Sequence, residues 1–204
     1  MNFKKVKRAG EALKFCIEKY HFNTVLDVGC GYGLHSDIFK KFEKTVTSTD
    51  IAPLYKDAII TNYMDTKFEK HDLTWASHVL EHQLDVNKFL KKIRTETKTG
   101  GYTCITVPPL KHEIVGGHVN LWNAGLLMYN LVLAGFNCKN VNIKQYNYNI
   151  TVIAQADDFS LPNLFYDAGD IEKLRPWLPD FCAEPFNGDI KEWNWNERHN
   201  NKTC

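Results

Sequence analysis

Short runs of β-branched and apolar residues alternate along most of this chain with stretches whose apolar positions recur every three or four residues. Ala9, Leu13, Cys16 and Tyr20 share one helical face, with Lys4, Lys5, Lys7, Arg8, Lys14 and Lys19 on the wet side. Thr24–Val28 is an apolar β-branched run of the kind that forms a buried strand. A glycine turn, Gly29–Gly33, follows, then a helix with Leu34, Ile38 and Phe42 expected on one face. Lys44–Thr49 predicts a second strand ending at Asp50, and Ala58–Tyr63 a third ending near Asp65, after an irregular stretch with Pro53. His71–Val79 predicts a fourth. Asp85 then caps a helix whose Val86, Phe89, Leu90 and Ile93 fall at i, i+3, i+4 and i+7. Gly100–Gly101 turns the chain into strand Tyr102–Val107, which Pro108–Pro109 ends. Trp122–Ala134 predicts a helix stopped by Gly135. Asn140–Tyr146 and Asn149–Ala156 predict an antiparallel pair turning near Asn147. Strands alternating with helices imply an α/β fold: a mostly parallel sheet covered on both faces, with a hairpin at one edge.

The pattern changes after Ala156. Residues 157–204 carry Pro162, Pro176, Pro179 and Pro185, but also Phe159, Phe165, Tyr166, Trp177, Phe181, Phe186, Trp193 and Trp195. Disordered tails are poor in aromatics, so this extension is expected to pack on domain 1–156 or at a subunit interface, the second of which would be that of a homodimer. Residues beyond about Asn196 are polar and expected to fray. The formal charge of +1 gives no long-range pull toward nucleic acid or an anionic membrane. No long apolar run follows the basic start, and Leu126–Phe136 is too short to span a bilayer, so a cytoplasmic address is expected. The six cysteines are scattered without a Cys-x-x-Cys pair, which predicts reduced, mostly buried thiols.

The chemistry concentrates in Asp27-Val-Gly29-Cys-Gly31-Tyr-Gly33, between a strand and a helix. A dinucleotide turn reads Gly-x-Gly-x-x-Gly and offers a helix N-terminus to a pyrophosphate. Here the third glycine comes one residue early. S-adenosylmethionine has no phosphate; its amino-acid end and ribose need close approach to bare backbone, and a carboxylate such as Asp27 attracts its ammonium. Asp50, at the next strand end, is placed to accept hydrogen bonds from both ribose hydroxyls, and Asp65 is a candidate for the adenine amine.

On these residues the chain resembles the class I S-adenosylmethionine-dependent methyltransferases of the type 11/23 kind, from about Thr24 to Ala156. Val25-Leu-Asp-Val-Gly-Cys-Gly-Tyr-Gly33 resembles the family's first motif and Asp50 its ribose-binding acid. His71–His82 resembles the fourth-strand motif, and Lys98-Thr-Gly-Gly-Tyr102 is similar to a Lys-Pro-Gly-Gly turn with Thr99 in place of proline. The resemblance implies a Rossmann-like three-layer sandwich with a seven-stranded sheet. It also implies that Asp27, Gly29, Gly31 and Gly33 hold the methionine part, Asp50 the ribose, Asp65 and Thr66 the adenine, with Cys30 and Ile51 also binding the cofactor and Ser77 and His78 bordering it.

The acceptor is expected beyond the carboxyl ends of the strands, between Ser77–His82 and the loop Pro108–Asn120. That loop holds His112 and His118, the candidate bases for a hydroxyl acceptor on a small molecule or sugar, with His118 preferred; as loop histidines, both equally fit a role in backbone hydrogen bonding. His82 is expected to tie the start of the following helix, and Trp75 and Trp122 to lie in the core. No metal is expected, because no compact acidic cluster lies near this loop. His78-Val-Leu-Glu-His82 also matches the zinc motif of inverted metalloproteases, which needs both histidines on one helical face. A nicotinamide oxidoreductase, a nucleic-acid or protein methyltransferase and a catalytically silent S-adenosylmethionine-binding partner protein are the other rivals.

Overall fold

The computed structural model describes residues 1–196. The frayed end expected beyond Asn196, with Cys204, lies outside them. Helix α1 (Gly10–Lys19) precedes strand β1 (Thr24–Val28). There follow α2 (Leu34–Lys41), β2 (Thr45–Asp50), β3 (Ala58–Ile60), β4 (His71–Ser77), α3 (Val86–Thr95) and β5 (Thr97–Val107). Helix α4 (Ala124–Leu133), β6 (Phe136–Tyr146), β7 (Asn149–Ala156), α5 (Asp170–Leu174) and a two-residue strand β8 (Glu192–Trp193) complete the chain. The sheet order is β3-β2-β1-β4-β5-β7-β6-β8, parallel from β3 to β5 and antiparallel from β7 onward.

The sheet has eight strands, one more than the resemblance implies, because the tail returns and pairs Trp193 and Glu192 with Ile143 and Lys144. Two apolar layers sandwich it. On one face Leu13 and Cys16 of α1 and Ile38 and Phe39 of α2 meet Val25, Leu73 and Trp75. On the other, Phe89, Leu90 and Ile93 of α3 and Leu127, Met128 and Leu131 of α4 meet Leu26, Ile105 and Val152. Each such fully buried side chain contributes about 1.5–3 kcal/mol. Trp75 and Trp122 are both core residues. After Ala156 the chain adds Leu174, Leu178 and Cys182 to the second layer, while Trp195 stacks on Phe15 at 4.2 Å.

Several details differ from the sequence reading: β5 begins at Thr97 and runs through Gly100–Gly101, and β6 begins at Phe136 and not Asn140. The third strand is only Ala58–Ile60, and Tyr63–Asp65 forms a 3-10 turn capped by the Asn62 side chain. The fourth strand stops at Ser77, because His78 takes a left-handed conformation (φ 58°) that breaks the ladder. In α2 the buried face is Ser36, Ile38 and Phe39, whereas Leu34 is 55% exposed. Among the described residues no helix is long and apolar enough to cross a membrane.

Candidate active site

Because β1 to β5 run parallel, Val28, Asp50, Ile60, Ser77 and Val107 all end at one edge of the sheet. The chain order reverses between β1 and β4, and a crevice outside such a switch point is where open α/β sheets bind ligands. The glycine turn after β1 and the segment after β4 form its two sides. They touch: a methyl group on Gly29 would meet Val79 Cγ2 at 2.3 Å.

Asp50 organises the first side. Its Oδ2 accepts the Gly31 N–H at 2.7 Å and its Oδ1 the Ala52 N–H at 2.9 Å, so the carboxylate at the end of β2 shapes the turn at the end of β1. Gly31 itself has φ +54° and nothing within 4 Å of where a Cβ would stand, so bare backbone faces open space. Beside it Ile51 is 76% exposed, an apolar platform next to the acid. Asp27 lies deeper. It is buried, and Ser36 Oγ donates to its Oδ2 at 2.6 Å, with Ser48 Oγ 2.8 Å from Ser36. Burial pushes its carboxyl up to about 7, against the Ser36 hydrogen bond, and the nearby charge of Asp50 adds to the rise. Half-buried Cys30 has its thiol pushed up to about 12, by burial and then by Asp27 and Asp50, so it stays protonated.

Asp65 is exposed and Thr66 half-buried after β3, where the Thr66 carbonyl accepts from Lys92 Nζ of α3 at 2.7 Å. Their turn is braced from below by buried Glu96. Its carboxylate accepts the Tyr63 hydroxyl at 2.6 Å, the Phe68 N–H at 3.0 Å and Lys92 Nζ at 2.6 Å. On the other side of the crevice, Ser77 has a buried Oγ without a partner. His78 does not face open space. Its ring lies between Asn149 Oδ1, 3.0 Å from Nε2, and Glu81 Oε1, 3.3 Å from Nδ1.

The candidate bases separate. His112 is exposed, whereas His118 is half-buried, its ring 5.1 Å from that of His82. His82 ties not the start of α3 but the loop: its Nδ1 donates to the Gly117 carbonyl at 2.8 Å. The Val119 N–H to the Glu81 carbonyl (2.9 Å) and Asn120 Nδ2 to the Gln83 carbonyl (2.6 Å) complete three clamps that hold residues 117–120 against the turn 81–83. Glu81, buried at 1% exposure, was not among the expected site residues, and neither was Asn149. The His78-x-x-Glu-His82 motif marked Glu81, whereas Asn149 reaches the site from β7 and has no local signature. The metalloprotease arrangement is excluded, because His78 closes a strand and Leu80–His82 is a single 3-10 turn.

A family model described as a methyltransferase domain matches residues 4–132, more than half of the chain. The chain belongs to this methyltransferase family. Its fold is that of the S-adenosylmethionine-dependent methyltransferases, as comparison with solved structures shows. A 1,6-didemethyltoxoflavin-N1-methyltransferase from Burkholderia thailandensis, with its substrate and S-adenosylhomocysteine bound, superposes with a TM-score of 0.62 at 16% identity, over 72% of this chain and 77% of that one. A SAM-dependent methyltransferase from Archaeoglobus fulgidus superposes with a TM-score of 0.61 at 17% identity, over 76% and 94%. Curated relatives from Staphylococcus aureus, named uncharacterized lipoproteins, are 27% identical over 169 residues, 78% of this chain. The chain spans 64% of the length of those relatives.

Proposed function

We propose that this chain transfers a methyl group from S-adenosylmethionine to a hydroxyl oxygen of a small polar molecule or sugar. The observation that carries the cofactor reading is the Asp50–Gly31 contact, which puts a carboxylate beside an unobstructed glycine turn at the switch point of the sheet. The residues fit the group. Gly31 leaves room for a ligand on the backbone, Asp50 offers acceptors for a ribose, Ile51 offers an apolar face, and the unpartnered Ser77 Oγ lies across the crevice. Gly29, Cys30 and Gly33 would line the amino-acid end, Asp65 and Thr66 the adenine end. Asp27, beneath the turn, would act on the ammonium through its charge.

Bound S-adenosylmethionine supplies an electrophilic methyl group: as the new C–O bond forms, the C–S electron pair stays on sulfur and S-adenosylhomocysteine remains. The protein must align the acceptor with that methyl and take the hydroxyl proton. Among the expected bases, His118 is the one held at the crevice, against Glu81 and His82, and it is the group we assign to the proton; exposed His112 has no comparable support. The free thiols of Cys16, Cys104, Cys138 and Cys182, all buried, suit the reducing cytoplasm we assign as its compartment.

Calorimetric titration with S-adenosylhomocysteine tests the cofactor site. The parent should bind, and Asp50→Ala should lose at least tenfold in affinity, whereas His118→Ala should keep the affinity and lose turnover on any hydroxyl acceptor found. A folded parent that binds no S-adenosylhomocysteine overturns the proposal. Tight binding with no transfer to any acceptor class favours a silent binding protein.

A further inference from the structure

We infer that Glu81, His82 and His118 form a site for a divalent transition metal of the zinc class at the acceptor end of the crevice. The inference rests on the proposed function only for what the metal would face. One ligand atom from each of the three residues lies within 4.8 Å of the other two. Zinc bonds of about 2.0–2.2 Å set tetrahedral ligands about 3.3–3.5 Å apart, so small side-chain rotations close the set. Glu81 Oε1 and His82 Nε2 are already 3.8 Å apart.

The hydrogen bonds around the trio favour a cation there. Both Glu81 carboxylate oxygens are buried without a hydrogen-bond partner. Two imidazole nitrogens approach Oε1, His78 Nδ1 at 3.3 Å and His82 Nε2 at 3.8 Å, and each ring in its neutral form has its one proton engaged elsewhere. The Gly117 carbonyl only accepts, so His82 carries its proton on Nδ1 and turns the Nε2 lone pair toward Glu81. In His78 the proton is likewise drawn to Nε2. The Asn149 amide is oriented by the Ala9 N–H donating to Oδ1 at 3.2 Å and by Nδ2 donating to the Tyr146 carbonyl at 3.2 Å, so Oδ1 accepts from His78. A buried carboxylate facing two lone pairs costs several kcal/mol unless a proton or a metal cation joins them. A metal ion on Glu81 and His82 removes that conflict.

The same contacts are those a zinc ligand needs. Metal-bound imidazoles donate their second nitrogen to a carbonyl or carboxylate, as His82 does to Gly117. His118 is carried on the clamped loop, one residue from the Val119–Glu81 bond. Two imidazoles and a carboxylate are the donor set of catalytic zinc sites that keep one position open. Imidazole donors also select against magnesium and calcium, which take oxygen ligands. With the acceptor oxygen in the open position, the metal would lower the pKa of that hydroxyl so that its proton passes to solvent, and His118, assigned above as the base, would serve as a ligand instead.

The test is a Zn2+ titration of chelator-stripped full-length protein against a chromophoric competitor, with S-adenosylhomocysteine titrated in parallel. The parent should bind one equivalent. Glu81→Gln and His118→Ala should each lose at least tenfold in Zn2+ affinity with S-adenosylhomocysteine affinity unchanged, while His21→Ala, an exposed histidine outside the site, should match the parent. Should Glu81→Gln fail to fold, His82→Ala replaces it, because that side chain is 45% exposed. Co2+ substituted into the parent should give the visible bands of a four-coordinate site, and His118→Ala should change them. A folded parent without stoichiometric Zn2+ binding overturns the inference, and so does binding that survives in both Glu81→Gln and His118→Ala. Zn2+ binding without S-adenosylhomocysteine binding supports the metal site and overturns the transferase reading; the converse overturns the metal site alone.

Discussion

Asp27→Asn should change how stability depends on pH, by an amount that the burial of the carboxyl sets. The Asp27 carboxyl moves from 3.8 to about 7 on folding, chiefly because burial disfavours its charge. Between these two values the native state holds a proton that the unfolded chain has released. Stability therefore falls as pH rises from about 4 to about 7 and is flat above, the reverse of the usual salt-bridged aspartate. At 1.36 kcal/mol per pH unit the loss is about 4 kcal/mol. Asparagine keeps an oxygen that can accept from Ser36 Oγ but does not titrate, so the variant lacks this slope. Urea unfolding of parent and variant at intervals from pH 4 to pH 8 reads the difference, and taking that difference cancels every other titrating group. The variant should gain about 4 kcal/mol on the parent across the interval. A difference that does not vary with pH would refute the buried, protonated carboxyl. A ligand ammonium near the turn favours the ionised form, so saturating S-adenosylhomocysteine should flatten the parent's slope, linking the measurement to function.

Gly31→Ala places its methyl in open space at φ +54°, so it should cost about 1–2 kcal/mol of stability while reducing S-adenosylhomocysteine affinity tenfold or more; calorimetry beside thermal melts separates the two. Gly29→Ala, whose methyl would meet Val79 at 2.3 Å, should instead lower Tm by more than Gly31→Ala does. Glu96→Ala removes the acceptor shared by Tyr63, Phe68 and Lys92 and should cost about 3–5 kcal/mol in denaturant unfolding; a cost below 1 kcal/mol would show that this brace is not needed.

The half of the site at the carboxyl ends of β1 and β2 was legible in the sequence because its chemistry is local. Gly29, Gly31 and Gly33 are contiguous in one turn, and Asp50 is marked by the end of a β-branched run. The acceptor half was not, because it is assembled from distant segments. Glu81, Gly117 and Asn149 converge only once β4, β5 and β7 are paired, and nothing near Asn149 in the sequence distinguishes it from other turn asparagines. The eighth strand was missed for a related reason: Glu192–Trp193 is too short to show a period, and its pairing with β6 comes from the path of the preceding tail. His82 was visible, but the spacing of the motif could not distinguish a tie to the following helix from a clamp on a loop thirty-five positions away.

The two halves also differ in construction, and that bears on how an acceptor would enter. The proposed cofactor side rests on strand ends and on a turn held by Asp50. The acceptor side is covered by a loop whose Leu110, Ile114, Val115, Val119 and Leu121 are all exposed, with Ile114 88% exposed. Beneath that loop the cavity lined by Lys111, His118, Trp122 and Tyr148 measures only about 20 Å³, room for about one water molecule. Trp122 lines it with a buried indole N–H that lacks a partner, so the polar end of an acceptor would find a donor there. A molecule larger than water does not fit this cavity as it stands, and the loop over it is held by the three clamps from Gly117, Val119 and Asn120. Those same clamps position His118 against Glu81 and His82. On the proposed function, breaking those clamps should therefore perturb the acceptor half of the site and leave the Asp50–Gly31 contact as it is.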